Sequence, residues 1–187
     1  MLLLILGSLS FLLFFVYDIN SVKKNNRLFH HFFWLGCSVI LIATICLFIG
    51  DFSVEKIMSF RGVFFSILGI IAFVLLIYTL FFALPFDKTY VDAHSVPKVC
   101  DVKIYALCRH PGVIWFFLFY LFAAIALKSI NILWAAIIWS FLNVLYVTYQ
   151  DKVTFVINFS DYKEYKKTTP FLIPNKGSIK RCFDTWK

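Results

Sequence analysis

Long apolar runs separated by short polar connections constrain this chain more than any other feature of its sequence. A helix rises about 1.5 Å per residue, so crossing a hydrocarbon core of about 30 Å takes about 20 residues. The second, third and fifth runs reach this length, whereas the first and fourth are short. The runs are residues 2–17, 28–49, 63–84, 113–127 and 130–149. We therefore predict an all-α integral membrane protein, multi-pass, with about five transmembrane helices.

The composition leaves no room for a separate soluble domain. Apolar residues make up 61% of the 187-residue chain, whereas a soluble domain is closer to half apolar. The first run has no basic residue before it and no small-residue cleavage pattern after it, so we interpret it as a helix rather than a signal peptide. We predict a single membrane domain (1–187) of three N-terminal transmembrane helices (1–84), a cytoplasmic loop (85–112), a C-terminal helical hairpin (113–149) and a cytoplasmic amphipathic tail (150–187).

The basic residues are distributed very unevenly between the connections. Of the 18 Lys and Arg residues, fifteen fall in the first loop, the third loop and the tail, and the other side holds only Lys56, Arg61 and Lys128. The positive-inside rule then predicts an N-terminus outside and a tail in the cytoplasm. Anionic lipid headgroups account for the net charge of +8, so no nucleic-acid partner is expected.

The cysteines do not indicate a metal site. Cys100 and Cys108 lie near His110, but their spacing matches no usual zinc pattern. The five Cys also lack the arrangement of a disulfide framework, since three of them fall on the side predicted to be cytoplasmic. We therefore expect no bound metal and no disulfides.

The stretch "YALCRHPGVIWFF" places an arginine, a histidine and a proline where a polar loop meets the fourth apolar run. Proline suits the first turn of a helix and biases the preceding residue toward extended geometry, so Pro111 should begin a helix and His110 should be extended. A helix N-terminus favours anions, and the guanidinium of Arg109 can grip a carboxylate or phosphate with two hydrogen bonds. The trio predicts an anion site at the membrane surface, which lipid phosphates alone could also occupy.

A second polar cluster follows the fifth run. Gln150 and Asp151 are its first strongly polar residues, and Asp151 is either an exposed carboxylate just past the helix end or a buried one that pairs with Arg109 or a ligand. The residues after Asp151 mix aromatic, apolar and lysine side chains, which predicts an interfacial helix. The sequence "TTPFLIPN", residues 168–175, is predicted to bring the chain back as an extended piece; we call it the return segment.

These blocks, in this order, resemble the membrane-embedded methyltransferases related to isoprenylcysteine carboxyl methyltransferase and the phospholipid methyltransferases. The family carries an R-H-P motif before a helical hairpin, and afterwards a carboxylate pair and a tyrosine-rich stretch. The matching positions here are Arg109, His110, Pro111, Gln150, Asp151, Tyr162 and Tyr165. The chain is a divergent member by this comparison, because Val113 and Trp115 stand where the family has Tyr and Gly, and Gln150 replaces a glutamate.

The resemblance implies a methyltransferase that uses S-adenosylmethionine and acts on a membrane lipid or a prenylated acceptor at the cytoplasmic face. It implies that Arg109 and His110 bind the carboxylate of this cofactor, and that Asp151, helped by Gln150, binds its ribose. Aromatic rings for its sulfonium and adenine would come from Tyr162, Tyr165 and Phe171. Two alternatives stay open at this point: a steroid-reductase-like membrane enzyme that uses NADPH, and a non-catalytic member with a decayed cofactor site.

Overall fold

The computed structural model describes residues 1–23, 26–83 and 98–186, and the regular secondary structure of these residues is helical. The helices are α1 (Leu2–Lys23), α2 (Arg27–Asp51), α3 (Val54–Met58), α4 (Phe60–Ile77), α5 (Ile104–Leu107), α6 (Pro111–Leu127), α7 (Ile130–Tyr149), α8 (Phe155–Asn158), α9 (Tyr162–Thr168) and α10 (Lys176–Asp184). A π-helical turn, Tyr78–Phe82, extends α4, and a second one, Gln150–Thr154, joins α7 to α8.

Four helical segments are long and apolar enough to cross a membrane: Leu2–Lys23, Arg27–Asp51, Phe60–Phe82 and Ile130–Asn158. The prediction of an all-helical chain with several membrane-crossing helices is confirmed in that form. Helix α6 is apolar but has only 17 residues, and it packs between α4 and α7. It is followed by a short turn in which Lys128 has a φ of 49° and Ser129 caps α7 by accepting from the amide of Ile132 at 3.0 Å.

The prediction for the first helix was too short. Helix α1 continues beyond residue 17 through Asp18 and Asn20, both of which are buried. Asn20 exchanges two hydrogen bonds with the backbone of Asn26, at 2.9 and 3.0 Å, so its polar groups are satisfied inside the turn between α1 and α2. A boundary placed at the first polar residue misses such a case, because a polar side chain with partners need not end a helix.

Several other predicted boundaries also changed. The third helix begins three residues earlier than predicted, where Ser59 accepts a hydrogen bond from the amide of Gly62 at 3.1 Å. Helices α3, α5 and α10 were not predicted. Some residues used in the sequence argument lie outside the described residues: Lys24, Lys187, and residues 84–97, which include Lys88 and the first part of the predicted loop 85–112.

The core forms where α1 packs against α2 and α7. The indole of Trp139 is fully buried and donates a hydrogen bond to the carbonyl of Leu4 at 3.0 Å. Gly7 makes this close approach possible, because a Cβ atom there would lie 2.1 Å from the Trp139 ring. Tyr120 of α6 joins α2 through a 2.6 Å hydrogen bond between its hydroxyl and that of Thr44. These contacts hold the helix ends in fixed positions.

Side-chain contacts show which helix ends lie together. At one end of the bundle, Asp51, the last residue of α2, accepts hydrogen bonds from Ser129 and Asn131 at the start of α7. At the other end, the hydroxyl of Tyr105 donates to the carbonyl of Thr79 at 2.9 Å, next to the start of α6. The sequence-predicted site residues lie at this second end, which we call the site end.

Candidate functional site

The backbone around the arginine–histidine–proline trio is held by the return segment. The amide of Arg109 donates to the carbonyl of Pro170 at 2.9 Å, and the amide of His110 donates to the carbonyl of Phe171 at 3.3 Å. Helix α6 begins at Pro111, which confirms the predicted start. The prediction that residues 168–175 return as an extended piece needs one correction, because Thr168 still belongs to α9; residues 169–175 are non-helical, and Pro170 and Phe171 lie against the trio.

Asp151 is the centre of the site. It is 5% exposed, and its carboxylate faces four side chains. The hydroxyl of Tyr162 donates to Oδ1 at 2.7 Å, and Nζ of Lys166 lies 2.8 Å from Oδ2. Nε of Arg109 and Nε2 of His110 lie 3.2 and 3.4 Å from Oδ1. We call these five residues the Asp151 cluster.

The guanidinium of Arg109 is only partly used by these contacts. Its side chain is 10% exposed and lies over the ring of Phe171, with Cζ 5.6 Å from the ring centroid. Nε is close to Asp151, but its N–H has no well-directed hydrogen-bond acceptor among the described residues. The contact is therefore an ion pair without an aligned hydrogen bond, and a buried donor remains available.

His110 lies between two phenylalanines. Its ring stacks on Phe155 at a centroid distance of 5.9 Å and meets the edge of Phe171 at 5.1 Å. Burial lowers the pKa of His110, and the neighbouring carboxylate of Asp151 only partly opposes this. The imidazole is therefore neutral at neutral pH, and Asp151 is balanced mainly by the charges of Arg109 and Lys166.

Tyr162 and Tyr165 are both present at the site but are used differently from the expectation. Burial, and then the carboxylate of Asp151, raises the pKa of Tyr162, so its hydroxyl stays protonated and donates. Burial likewise raises the pKa of Tyr165, whose hydroxyl donates to the carbonyl of Tyr105 at 2.7 Å. Both rings are buried within the protein, and neither presents an open face to a ligand in this arrangement.

Gln150 does not join the cluster, although it precedes Asp151 in the chain. Its Nε2 atom donates to the hydroxyl of Tyr146 at 2.9 Å, and both side chains lie near Asp18 of α1. Gln150 and Asp151 therefore have different partners in this structure. The two residues face two separate polar groups.

Sequence reasoning missed three residues of these groups. Lys166 lies four positions after Tyr162, so the two share a helix face, and this spacing was the available signal. Asp18 was detectable as an acidic residue at the end of a long apolar run. Phe155, which stacks on His110, had no distinguishing signal among the 24 Phe residues. Within the part of the chain that the structure describes, no three His, Cys, Asp or Glu side chains converge as metal ligands.

Comparison of the chain with protein-family models, with curated proteins and with solved structures finds no match. The interpretation of the site therefore depends on its own geometry and chemistry. That geometry is a buried carboxylate and two cationic side chains, one of them an incompletely paired arginine, next to the N-terminus of an apolar helix.

Proposed function

We propose that this protein is an S-adenosylmethionine-dependent methyltransferase that acts on a lipid-like or prenylated acceptor at the site end of the bundle. The observation that carries the proposal is the 3.2 Å pairing of Arg109 with Asp151. These residues belong to two motif blocks that a helical hairpin separates, and a shared ligand site would bring such blocks together. The distribution of basic residues supports a cytoplasmic location for this end, where the donor is found.

Arg109 and the start of α6 fit the acidic part of the methyl donor. Arg109 is nine-tenths buried and keeps an N–H without an acceptor among the described residues. Helix α6 is 17 residues long and begins with Pro111, so the partial positive charge of its N-terminus adds to that of Arg109. S-adenosylmethionine supplies a reactive methyl group on a sulfonium sulfur. Arg109 would hold its carboxylate and thereby fix its orientation.

Asp151 fits the ribose only after one of its present partners moves. Both carboxylate oxygens already accept from the cluster, Oδ1 from Tyr162 and Oδ2 from Lys166. Lys166 is the most exposed donor, at 31%, so its ammonium can withdraw into solvent at least expense. We propose that Lys166 occupies Asp151 until the donor binds, and that Oδ2 then accepts from a ribose hydroxyl.

The surroundings of the site suit methyl transfer, which requires alignment and dryness more than acid–base groups. The rings of Phe155, Phe171 and Tyr162 surround His110 and Asp151 and keep water from the charged centre. Spanning helices lead directly to this end, because Gln150–Thr154 continues α7 without a break. An acceptor with a lipid chain could therefore approach through the membrane.

Calorimetric titration of the detergent-purified protein with S-adenosylmethionine, S-adenosylhomocysteine and NADPH tests the proposal. We expect micromolar binding of the first two, lost in Arg109→Ala and retained in Arg27→Ala, which removes an exposed arginine. Lys166→Ala should bind the donor more tightly, since the competitor for Asp151 is gone. Binding of NADPH alone would favour the reductase alternative.

A purely structural role for the cluster is the second candidate, and the complete engagement of Asp151 favours it. In that case the four donors only clamp the end of α7 to α6 and α9. The same titrations separate the two candidates. A folded protein that binds none of the three ligands, and whose Lys166→Ala variant also binds none, would establish the clamp and exclude the methyltransferase.

A further inference from the structure

The last helix carries an exposed face that is both apolar and basic. Lys176, Ile179, Lys180 and Phe183 follow the spacing i, i+3, i+4 and i+7, so they share one side of α10. All four are exposed, and Phe183 is 71% exposed. We call these residues the tail face. The fold builds α10 firmly, because Asn175 and Ser178 form a reciprocal capping box at its start.

Helix α10 lies next to the end of a long apolar helix, where exposed apolar side chains can face lipid. Trp186, just after α10, stacks on Tyr78 with a centroid distance of 6.2 Å. Tyr78 lies in the final turns of the candidate spanning segment Phe60–Phe82, so α10 lies beside the end of that segment. The amide of Lys103 also donates to Thr185 at 2.7 Å and fixes the end of the helix there.

Helix α10 is also connected to the Asp151 cluster through the return segment. Arg181 donates to the carbonyl of Thr168 and, at 3.3 Å, to the hydroxyl of the buried Thr169. The next two residues, Pro170 and Phe171, accept the backbone hydrogen bonds of Arg109 and His110. A chain of direct contacts therefore runs from the tail face to the arginine of the candidate site.

We propose that the tail face docks on the anionic leaflet of the protein's own membrane at the site end, and that docking holds the return segment against Arg109 and His110. Lys176 and Lys180 bind lipid phosphates, while Ile179 and Phe183 enter the boundary between headgroups and acyl chains. Opposite charge selects an anionic leaflet, and a basic amphipathic helix fixed at the membrane boundary has that surface beside it. The docking itself does not depend on the nature of the site's ligand.

Hydrogen exchange of the full-length protein in lipid nanodiscs tests this inference. We would compare discs of phosphatidylcholine alone with discs that contain about one third phosphatidylglycerol. Amides of α10 should exchange about 25-fold more slowly in the anionic discs, because each of the two lysines near such a surface contributes roughly a fivefold change in the docking equilibrium. The double variant Lys176→Ala/Lys180→Ala should lose this lipid dependence.

Two further variants complete the test of docking. Phe183→Ser should speed exchange of α10 in both lipids, since it removes the inserted ring. The matched control Lys152→Ala/Lys163→Ala removes two exposed tail lysines outside the tail face and should leave the lipid dependence intact. Equal exchange in the two lipids, or equal behaviour of the two double variants, would overturn the proposal.

The connection to the site has its own readout. The amides of Arg109 and His110 should become more protected in anionic discs together with α10. In Arg181→Ala, α10 should stay protected while these two amides lose their lipid response. If the two amides ignore the lipid while α10 responds, the connection is refuted and docking alone remains.

Discussion

Two aspartates, Asp51 and Asp151, lie at opposite ends of the bundle and contrast sharply. Asp51 ends α2 and accepts hydrogen bonds from two neutral side chains, those of Ser129 and Asn131. Asp151 follows α7, is more deeply buried, and faces Arg109 and Lys166 in addition to two neutral donors. Each aspartate ties one helix end to another, but with very different numbers of charges.

The contrast shows what a purely structural connection requires. Two neutral donors suffice to join α2 to the start of α7 at Asp51. The charges around Asp151 exceed this requirement, and burying an ion pair often adds no stability over apolar packing. More buried charge than a connection between two helix ends requires is typical of a binding or catalytic site. The comparison thus supports a ligand for the Asp151 cluster and none for Asp51.

The largest effect should come from removing the charge of Asp151. Asp151→Asn leaves Arg109 and Lys166 without their shared counter-ion in a buried site. We expect a loss of about 3 kcal/mol in the free energy of unfolding, or roughly 6–12 °C in the unfolding temperature measured in detergent. Asp51→Asn, the matched change at the other end, should cost about 1 kcal/mol or less. Equal losses at the two ends would remove the contrast.

The next effect concerns the two buried tyrosine hydroxyls. Tyr162 donates to a carboxylate and Tyr165 to a backbone carbonyl, and hydrogen bonds to charged groups are the stronger ones. We expect Tyr162→Phe to lower the free energy of unfolding by about 2 kcal/mol and Tyr165→Phe by about 1 kcal/mol. Thermal unfolding of both variants in the same buffer shows which of the two loses more stability. A larger loss for Tyr165→Phe would mean that Asp151 does not depend on its neutral donor.

A smaller effect should appear with pH. Since burial lowers the pKa of His110, the folded protein binds fewer protons than the unfolded chain as pH falls through the ordinary histidine value of 6.5. The contribution of His110 to stability is therefore present above that value and lost below it. The groups that face the ring are Asp151, Arg109 and Lys166. Unfolding temperatures at pH 7.5 and 5.5 should differ more for the native chain than for His110→Gln.

The smallest effect should come from the lysine next to Lys166. Lys167 pairs with Glu164 at 2.7 Å, but both side chains are mostly exposed. We expect Lys167→Ala to change the free energy of unfolding by no more than about 0.5 kcal/mol and to leave donor binding unchanged. Lys166→Ala, one residue away, should alter donor binding. A similar response of both variants would show that net charge, rather than contact with Asp151, controls the site.

The sequence was sufficient to predict the structure wherever one residue type determines the local backbone geometry. Proline at position 111 predicted the start of α6, and the apolar runs predicted the spanning helices. It was insufficient at Asn20, where hydrogen bonds with the backbone of Asn26 let α1 continue past residue 17. The direction of the Gln150 side chain could not be predicted either. A π-helical turn changes the angle between neighbouring side chains and leaves no clear sequence pattern.

A π-helical turn follows both α4 and α7 at the site end, and each turn presents a carbonyl to a polar side chain. Tyr105 donates to the carbonyl of Thr79, and Lys166 donates to the carbonyl of Asp151 at 3.1 Å. A π turn holds one residue more than the α-helical turn it replaces. Shortening either helix by one residue within its π turn would restore α-helical winding and turn that carbonyl away from its partner. The number of residues in each π turn thus sets the position of a carbonyl at the site. A one-residue deletion there should disturb the site more than most single substitutions.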